Sequence, residues 1–330
     1  MIVAIVGGSG FIGTCLSRRL QRNGSLDLCI VDKVGSKAYP SIAHVADVRS
    51  IDALRAAVPT QAVLVNLAAE HRDDVTPRSL YHDVNVQGAR NICEVAREQD
   101  VTSIIFTSTV AVYGFAPVGT DESGQISPFN DYGRTKHEAE DVFRHWQRED
   151  PAHRALTIIR PTVVFGENNR GNVYNLLRQI ASGRFVMVGS GTNRKSIAYV
   201  ENVAAFIEFA LAFGPGVHVF NYVDKPDFSM NELVTSVRAT IGNPVATSIR
   251  LPFWVGYLIG STFDLVARLT GKKFPISAIR VRKFCANSVY GSAVSASGFT
   301  PPVPLSDALA RTIRHEFINP QVAEHHFYSE

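Results

Sequence analysis

A strand that runs directly into a glycine-rich turn and a helix is the feature that most constrains the fold of this chain. The apolar run 2–6 ends at Gly7-Gly8-Ser9-Gly10-Phe11-Ile12-Gly13, and residues 14–22 have helical character. Glycines allow a tight turn and close approach to a pyrophosphate, whose charge then faces the free N–H groups of the helix N-terminus. Asp32 ends the next apolar run, where its carboxylate can accept hydrogen bonds from an adenosine ribose. The chain is therefore predicted to begin with a dinucleotide-binding βαβ unit.

Apolar runs alternate with longer amphipathic segments over the first 160 residues, which is typical of buried parallel strands joined by crossover helices. We predict an α/β fold with a Rossmann-type doubly wound parallel sheet. After Pro161 the pattern gives way to Gly- and Asn-rich loops. We place the dinucleotide-binding domain at 1–165 and a mainly substrate-binding region at 166–330, with some segments returning to the first domain. The predicted strands are 2–6, 28–31, 63–67, 103–107 and 156–159.

Composition excludes several classes of protein. The 330 residues are 45% hydrophobic and 19% charged, which is unlike a disordered or collagen-like chain. A net charge of +3 is too small for a dedicated nucleic-acid binder, so no nucleic-acid partner is expected. The four cysteines share no CxxC spacing and are expected to be buried thiols in the cytoplasm. His71 and His137 belong to no metal-ligand motif, and no metal is expected.

An apolar segment near residue 260 leaves the question of partners open. The stretch 251–263 contains Pro252, Gly256 and Gly260 and is shorter than the roughly 20 residues that cross a bilayer, so no transmembrane segment is predicted. Such a segment is most often core or the surface of a homodimer. Peripheral membrane contact is the alternative, supported by the neighbouring Lys272 and Lys273.

A tyrosine and a lysine four residues apart carry the predicted chemistry. Tyr132 and Lys136 share one face of an amphipathic helix that continues to about residue 146. An ammonium group there is expected to lower the phenol pKa from about 10, so that Tyr132 exchanges a proton with a substrate hydroxyl while hydride moves to or from its carbon. Thr109 follows a predicted strand, at the edge where open α/β sheets bind ligands, and can hold the same substrate oxygen.

With these motifs the chain resembles the extended short-chain dehydrogenase/reductase superfamily, in its nucleotide-sugar epimerase/dehydratase branch. The matching pieces are 7–13, 47–48, 66–69, 85–88, 107–114, 132–136 and 160–161. The resemblance implies NAD as cofactor, a nucleotide-sugar substrate and Thr109, Tyr132 and Lys136 as catalytic residues. NADP stays possible, because the cation of Lys33 adjoins Asp32. The implied cofactor-binding residues are Gly7, Gly10, Phe11, Ile12, Gly13, Asp32, Lys33, Asp47, Val48, Leu67, Ala68, Ala69, Asn85 and Pro161.

Two features narrow the reaction that the resemblance implies. Dehydratases of this branch place an Asp-Glu pair after the catalytic Thr, whereas this chain has Val110-Ala111, which cannot move a proton. The stretches 170–172 and 193–202 resemble bacterial 4-keto-reductases and 4-epimerases. By that likeness Asn172, Arg194 and one of Arg280 or Arg282 contact the substrate, since guanidinium groups match phosphate oxygens.

The leading hypothesis is therefore an NAD(P)-dependent enzyme acting at C4 of a nucleotide-linked hexose in surface-polysaccharide biosynthesis. Epimerisation is favoured slightly over 4-keto reduction, because Asp32 indicates NAD and an epimerase regenerates its cofactor within each cycle. One alternative is a 3β-hydroxysteroid-type dehydrogenase that uses the apolar segment for its substrate. Another is a catalytically silent scaffold that senses NAD(P).

Overall fold

The computed structural model describes residues 1–24, 26–72, 75–242, 249–271, 277–320 and 326–328. The strands are β1 Ile2–Val6, β2 Asp27–Asp32, β3 Ala43–Val45, β4 Val63–Asn66, β5 Ser103–Thr107, β6 Ala155–Pro161, β7 Val163–Phe165, β8 Val186–Val188, β9 Arg194–Tyr199, β10 Gly216–Tyr222, β11 Asp224–Ser229 and β12 Ile249–Leu251. The helices are α1 Phe11–Asn23, α2 Ile51–Ala57, α3 Ser79–His82, α4 Gly88–Glu98, α5 Asp131–Arg148, α6 Asn172–Ala181, α7 Val200–Ala210, α8 Met230–Thr240, α9 Phe253–Thr270, α10 Ala278–Cys285 and α11 Leu305–Ile313.

Seven parallel strands form the main sheet, in the order β10-β6-β5-β4-β1-β2-β3. This order confirms the predicted Rossmann-type fold, and each of the five predicted strands lies in this sheet. Strand β10 comes from the second half of the chain and pairs with β6 along its whole length. The domain division at residue 165 stays a prediction.

The core lies on both faces of this sheet, as the alternation of side chains along β1 illustrates. Val3 and Ile5 belong to a cluster that includes residues of α1 and α7, whereas Ala4 and Val6 belong to one that includes residues of α4 and α5. Helices on both faces explain why the strands read as continuous apolar runs. Three cysteines are buried, but Cys285 is half-exposed, so the expectation of four buried thiols is wrong there.

Two small sheets and a helix pair complete the second half. Strands β7, β9 and β11 form one sheet, and β8 pairs with β12 in the other. Helix α9 packs against α10. Within the described ranges, no helix is long and apolar enough to span a bilayer.

Candidate active site

The glycine-rich turn lies in backbone contact with the loop that follows β4. Gly7 has φ +78°, and a Cβ at this position would lie 2.5 Å from the backbone nitrogen of Ala68. A Cβ on Gly13 would lie 2.5 Å from Cα of Gly8. Only glycine fits at both positions. Gly7 therefore allows the turn to contact the loop after β4, and Gly13 allows α1 to contact the turn.

This turn fits the pyrophosphate of a dinucleotide. The first N–H groups of a helix have no intrahelical acceptor, and the N-cap of α1, Gly10, provides no side-chain cap. Asp32 lies across the turn at the end of β2, where its carboxylate accepts hydrogen bonds from the N–H groups of Ser9 at 3.0 Å and Val34 at 3.2 Å. The N-terminus of α1 would hold the phosphates, and Asp32 is oriented toward the same turn.

The other expected cofactor residues follow the carboxyl ends of parallel strands and therefore share one edge of the sheet. Val48 and Asp47 come after β3, Leu67, Ala68 and Ala69 come after β4, and Pro161 ends β6. The hydrogen bonds from Arg49 hold the pKa of Asp47 below its usual value, although burial opposes this shift. The contacts of these expected cofactor residues with NAD stay predictions.

Asn85 joins the β4 loop to the catalytic helix. It is buried, and its Oδ1 accepts from the N–H of Glu70 at 2.9 Å. Its Nδ2 donates to the carbonyl of Glu70 at 3.0 Å and to Oγ1 of Thr135 at 2.9 Å. Because Thr135 lies between Tyr132 and Lys136, this amide fixes α5 relative to the sheet edge. A further contact of Asn85 with the cofactor is a prediction.

The structure brings Thr109, Tyr132 and Lys136 together. Thr109 follows β5 and caps a short helical turn, accepting from the N–H of Ala111 at 3.1 Å. Tyr132 is the second residue of α5, and its side chain lies close to that of Thr109. Lys136 lies one turn further on the same helix face and is buried, with Nζ 4.2 Å from the centre of the Phe106 ring.

Burial disfavours the charged forms of both Tyr132 and Lys136. It raises the pKa of Tyr132 to about 12, against the opposite effect of the Thr109 hydrogen bond. Burial lowers the pKa of Lys136 to about 7, and the charge of Glu140 partly opposes this shift. The expectation that Lys136 brings the phenol below its usual pKa is therefore wrong for the protein alone, because desolvation disfavours both ions. The Tyr132 phenol therefore keeps its proton near neutral pH in the protein alone.

A buried ion pair, absent from the sequence-based site, lies next to Lys136. Arg160 donates from Nε to Oε1 of Glu140 at 2.8 Å and from Nη2 to Oε2 at 2.5 Å. Its Nη1 also donates to the Tyr113 hydroxyl at 2.6 Å. Burial raises the pKa of Glu140, but the pairing with Arg160 outweighs it and keeps the carboxylate ionised. The signal that could have found it is the spacing of Glu140, four residues after Lys136.

A groove between β8, the start of α9 and the end of α10 has a volume of about 450 Å³. Arg282 and Phe253 line it, together with Val188, Gly189, Ser190, Thr192, Asn193, Cys285, Ala286 and Asn287. The Arg282 guanidinium lies 5.5 Å from the centre of the Phe115 ring. Lys283 lies over Phe129, three residues before Tyr132. Helix α10 therefore connects this groove to the loops around the catalytic group.

The other predicted substrate residues lie outside this groove. Arg194 donates from Nη1 to the carbonyl of Asp227 at 2.8 Å, and its Nη2 lies 3.6 Å from Glu232, so its charge is already engaged. Arg280 is exposed on α10, and Asn172 is the exposed first residue of α6. None of these three is among the groove-lining residues, and their substrate contacts stay predictions. The described segments contain no group of three or more His, Cys, Asp or Glu side chains that could hold a metal.

A parallel sheet with this glycine turn beside a Thr–Tyr–Lys group defines a dinucleotide-dependent enzyme. The model of the NAD dependent epimerase/dehydratase family matches residues 3–222, and the chain belongs to this family. It is an NAD-dependent enzyme of the extended short-chain dehydrogenase type, as the sequence predicted.

Curated relatives agree with this assignment, and a solved structure shows the same fold. The chain is 48% identical, over 99% of both chains, to N-acetyl-alpha-D-glucosaminyl-diphospho-ditrans,octacis-undecaprenol 4-epimerase of Escherichia coli O157:H7. It is 28% identical to UDP-glucose 4-epimerase of Vibrio cholerae, over 82% of this chain and 85% of that one. UDP-glucuronic acid 4-epimerase from Bacillus cereus, solved with NAD, has the same fold, with a TM-score of 0.74 at 18% identity over 96% of this chain and 100% of that one. These likenesses fit the predicted class, an NAD-dependent enzyme that acts at C4 of a diphosphate-linked sugar.

Proposed function

We propose that this protein inverts C4 of an N-acetylhexosamine that is joined through a diphosphate to a polyprenol. The observation that carries the proposal is the 48% identity, over 99% of both chains, with the E. coli enzyme whose name specifies such a substrate. The matches to UDP-glucose epimerases are at 28% identity or less and cover less of the chain. A UDP-linked sugar, the substrate expected from the sequence, shares the diphosphate and the hexose and differs only in the carrier.

The residues of the site can perform this reaction with Tyr132 as the single proton carrier. Tyr132 would take the proton of the sugar 4-hydroxyl and later return it, while Thr109 would hold the same oxygen and Lys136 would stabilise the phenolate. NAD, when bound, supplies the acceptor and donor of the hydride. Val110 and Ala111, which follow Thr109, offer no further proton carrier, which favours a reaction confined to C4.

The location and assembly of the enzyme belong to the same proposal. A lipid-linked diphosphate sugar made for surface polysaccharide fits an enzyme of the cytoplasm, where free thiols such as Cys15 and Cys93 stay reduced. A homodimer is the expected oligomer, and light scattering of the purified protein tests it.

The test is to incubate the purified enzyme, without added cofactor, with N-acetylglucosaminyl-diphospho-undecaprenol in detergent, and separately with UDP-N-acetylglucosamine. The sugar is released by mild acid and its C4 configuration is read by NMR. Formation of the galacto epimer on the lipid carrier, faster than on UDP, is the expected result. Conversion of the UDP-sugar alone would reject the lipid carrier. If only a 4-keto sugar turns over, with stoichiometric NADH, the enzyme is a reductase.

A further inference from the structure

Helix α9 presents its largest apolar side chains to solvent. Trp254, Leu258, Leu265 and Leu269 are exposed by 68%, 61%, 58% and 78%. At 3.6 residues per turn, these four positions fall within about 60° around the helix axis. They therefore form one continuous apolar face, hereafter the α9 outer face. Contiguous exposed apolar surface of this kind marks a site that contacts a protein or a membrane.

The opposite side of α9 is fixed to the body of the protein through glycines. A Cβ on Gly256 would lie 2.6 Å from Cγ1 of Val188, and one on Gly260 would lie 2.7 Å from the backbone nitrogen of Ala278. The Asp264 carboxylate also accepts a hydrogen bond from the N–H of Ala278 at 3.0 Å. Because the helix fits only with its small residues inward, the outward direction of the large ones is set by the packing.

Basic residues outnumber acidic residues on α9 and in the segments next to it in the sequence. Within 249–271 and 277–285 the acidic residue is Asp264, which is engaged with Ala278, whereas the basic residues are Arg250, Arg268, Arg280, Arg282 and Lys283. An apolar helix face with Trp and Leu, on a segment with a net positive charge, is the composition that binds in the interface of an anionic bilayer. Lys272 and Lys273, which favoured membrane contact in the sequence, lie outside the described residues.

We propose that the α9 outer face docks on the surface of an anionic phospholipid bilayer. This inference rests on the proposed function, because it explains how the enzyme reaches a substrate whose carrier lies in a membrane. Phe253, the first residue of α9, lines the same groove as Arg282. A diphosphate held by Arg282 would thus lie next to the docked helix, and its polyprenol would enter the bilayer beside it. The sugar would remain on the protein side.

The chain carries its own probe for this contact. It has two tryptophans, of which Trp146 is fully buried and Trp254 is exposed. Mixing the full-length protein with vesicles of phosphatidylglycerol and phosphatidylethanolamine should shift the emission of Trp254 to shorter wavelength, and brominated lipids should quench it. Phosphatidylcholine vesicles should bind more weakly, since they lack the anionic charge.

Substitution of the outer face provides the matched comparison. Leu258→Gln with Leu265→Gln alters exposed side chains, so the fold is retained, and should weaken co-sedimentation with the anionic vesicles by roughly tenfold or more. The control is Val118→Gln with Ile318→Gln, which changes two exposed apolar residues elsewhere. It should bind as the unchanged protein does.

The outcomes separate this inference from the proposed function. Equal vesicle binding by both variants and the unchanged protein would overturn the docking role of α9, as would a dimer in light scattering that the α9 variant converts to a monomer. If the enzyme epimerises the lipid-linked sugar in detergent but does not bind vesicles, only the docking inference fails. If it binds vesicles through α9 but leaves that sugar unchanged, only the proposed substrate fails.

Discussion

The backbone of Ala111 lies directly against Gly133: a Cβ at position 133 would be 2.6 Å from the carbonyl oxygen of Ala111. This contact places the first turn of α5 on the short helical turn that Thr109 caps. The N-cap of α5, Asn130, accepts from the N–H of Gly133 at 2.9 Å and fixes the start of the helix at the same point. The closeness of the Thr109 and Tyr132 side chains depends on this approach.

Gly133→Ala should therefore reduce activity although it favours the helix. The added methyl group must push α5 away from the turn, and a displacement of about 1 Å in a catalytic group can reduce turnover about 100-fold. Steady-state kinetics should show a lower kcat with NAD affinity retained. Gly214→Ala is the control, since a Cβ at that position would have no atom beyond its chain neighbours within 4 Å. Unchanged kcat in Gly133→Ala would show that the close contact does not set the catalytic geometry.

Tyr132→Phe should lose turnover by about 10²–10⁴-fold, because the ring remains but the proton carrier is gone. Isothermal titration should find NAD binding close to that of the unchanged protein. Tyr328→Phe, which alters an exposed tyrosine, serves as the control. Turnover near the original rate in Tyr132→Phe would mean that another group moves the proton.

The sequence predicted the parts of the site that depend on local spacing. The turn from Gly7 to Gly13 and the pair Tyr132 and Lys136 are such features, because strand ends and helix turns place them without knowledge of distant contacts. The pairing of Glu140 with Arg160 joins residues 20 positions apart and depends on how α5 packs on β6. Its burial and its effect on charge could not be read from residue types alone.

The sequence also could not rank the three arginines that were predicted to contact the substrate diphosphate. Arg194, Arg280 and Arg282 are equivalent as sequence signals for phosphate binding. The structure distinguishes them by their neighbours, because the Arg194 guanidinium meets the Asp227 carbonyl while Arg282 lines the groove. Lys195, the adjacent cation, donates to the carbonyls of Lys283 and Ala286 at the end of α10 and is fully engaged there.

Arg282→Ala should raise KM for the diphosphate-linked sugar with little effect on NAD affinity. A hydrogen bond to a charged group is typically worth about 1.5–3 kcal/mol, which corresponds to roughly a 10- to 100-fold rise in KM. Arg194→Ala tests the sequence-based assignment in the same assay and should have the smaller effect. Arg184→Ala, at an exposed site outside the groove, is the control. A larger rise in KM for Arg194→Ala than for Arg282→Ala would mean that Arg194 is the main contact with the diphosphate.

The enzyme should bind NAD at least about tenfold more tightly than NADP, because the carboxylate of Asp32 would lie near a 2′-phosphate of the same charge. Calorimetric titration with both cofactors measures the ratio. Asp32→Asn removes the charge with little change in size and should bring the two affinities closer together. Tighter binding of NADP by the unchanged protein would contradict the role of Asp32.

Lys136 should make the stability of the cofactor-free protein depend on pH. Its pKa falls from the usual 10.5 to about 7 in the folded state because of burial, with Glu140 acting in the opposite direction. Between these two values the unfolded chain binds a proton at this site that the folded protein does not. The free energy of unfolding contributed by Lys136 therefore rises as the pH increases from about 7 to 10.5, and this contribution is lost as the pH falls from 10.5 to the folded-state pKa of about 7.

Lys136→Met should remove this dependence, since it keeps a long apolar side chain without a titrating group. Denaturant unfolding at several pH values between about 7 and 10 gives the difference between the variant and the unchanged protein. That difference should change by up to about 1.4 kcal/mol per pH unit, in favour of the lysine at higher pH. Lys37→Met changes an exposed lysine and should leave the two curves parallel. Parallel curves for Lys136→Met as well would mean that the ammonium of Lys136 is not desolvated, and the nearby Glu140 carboxylate would then keep it charged throughout this range.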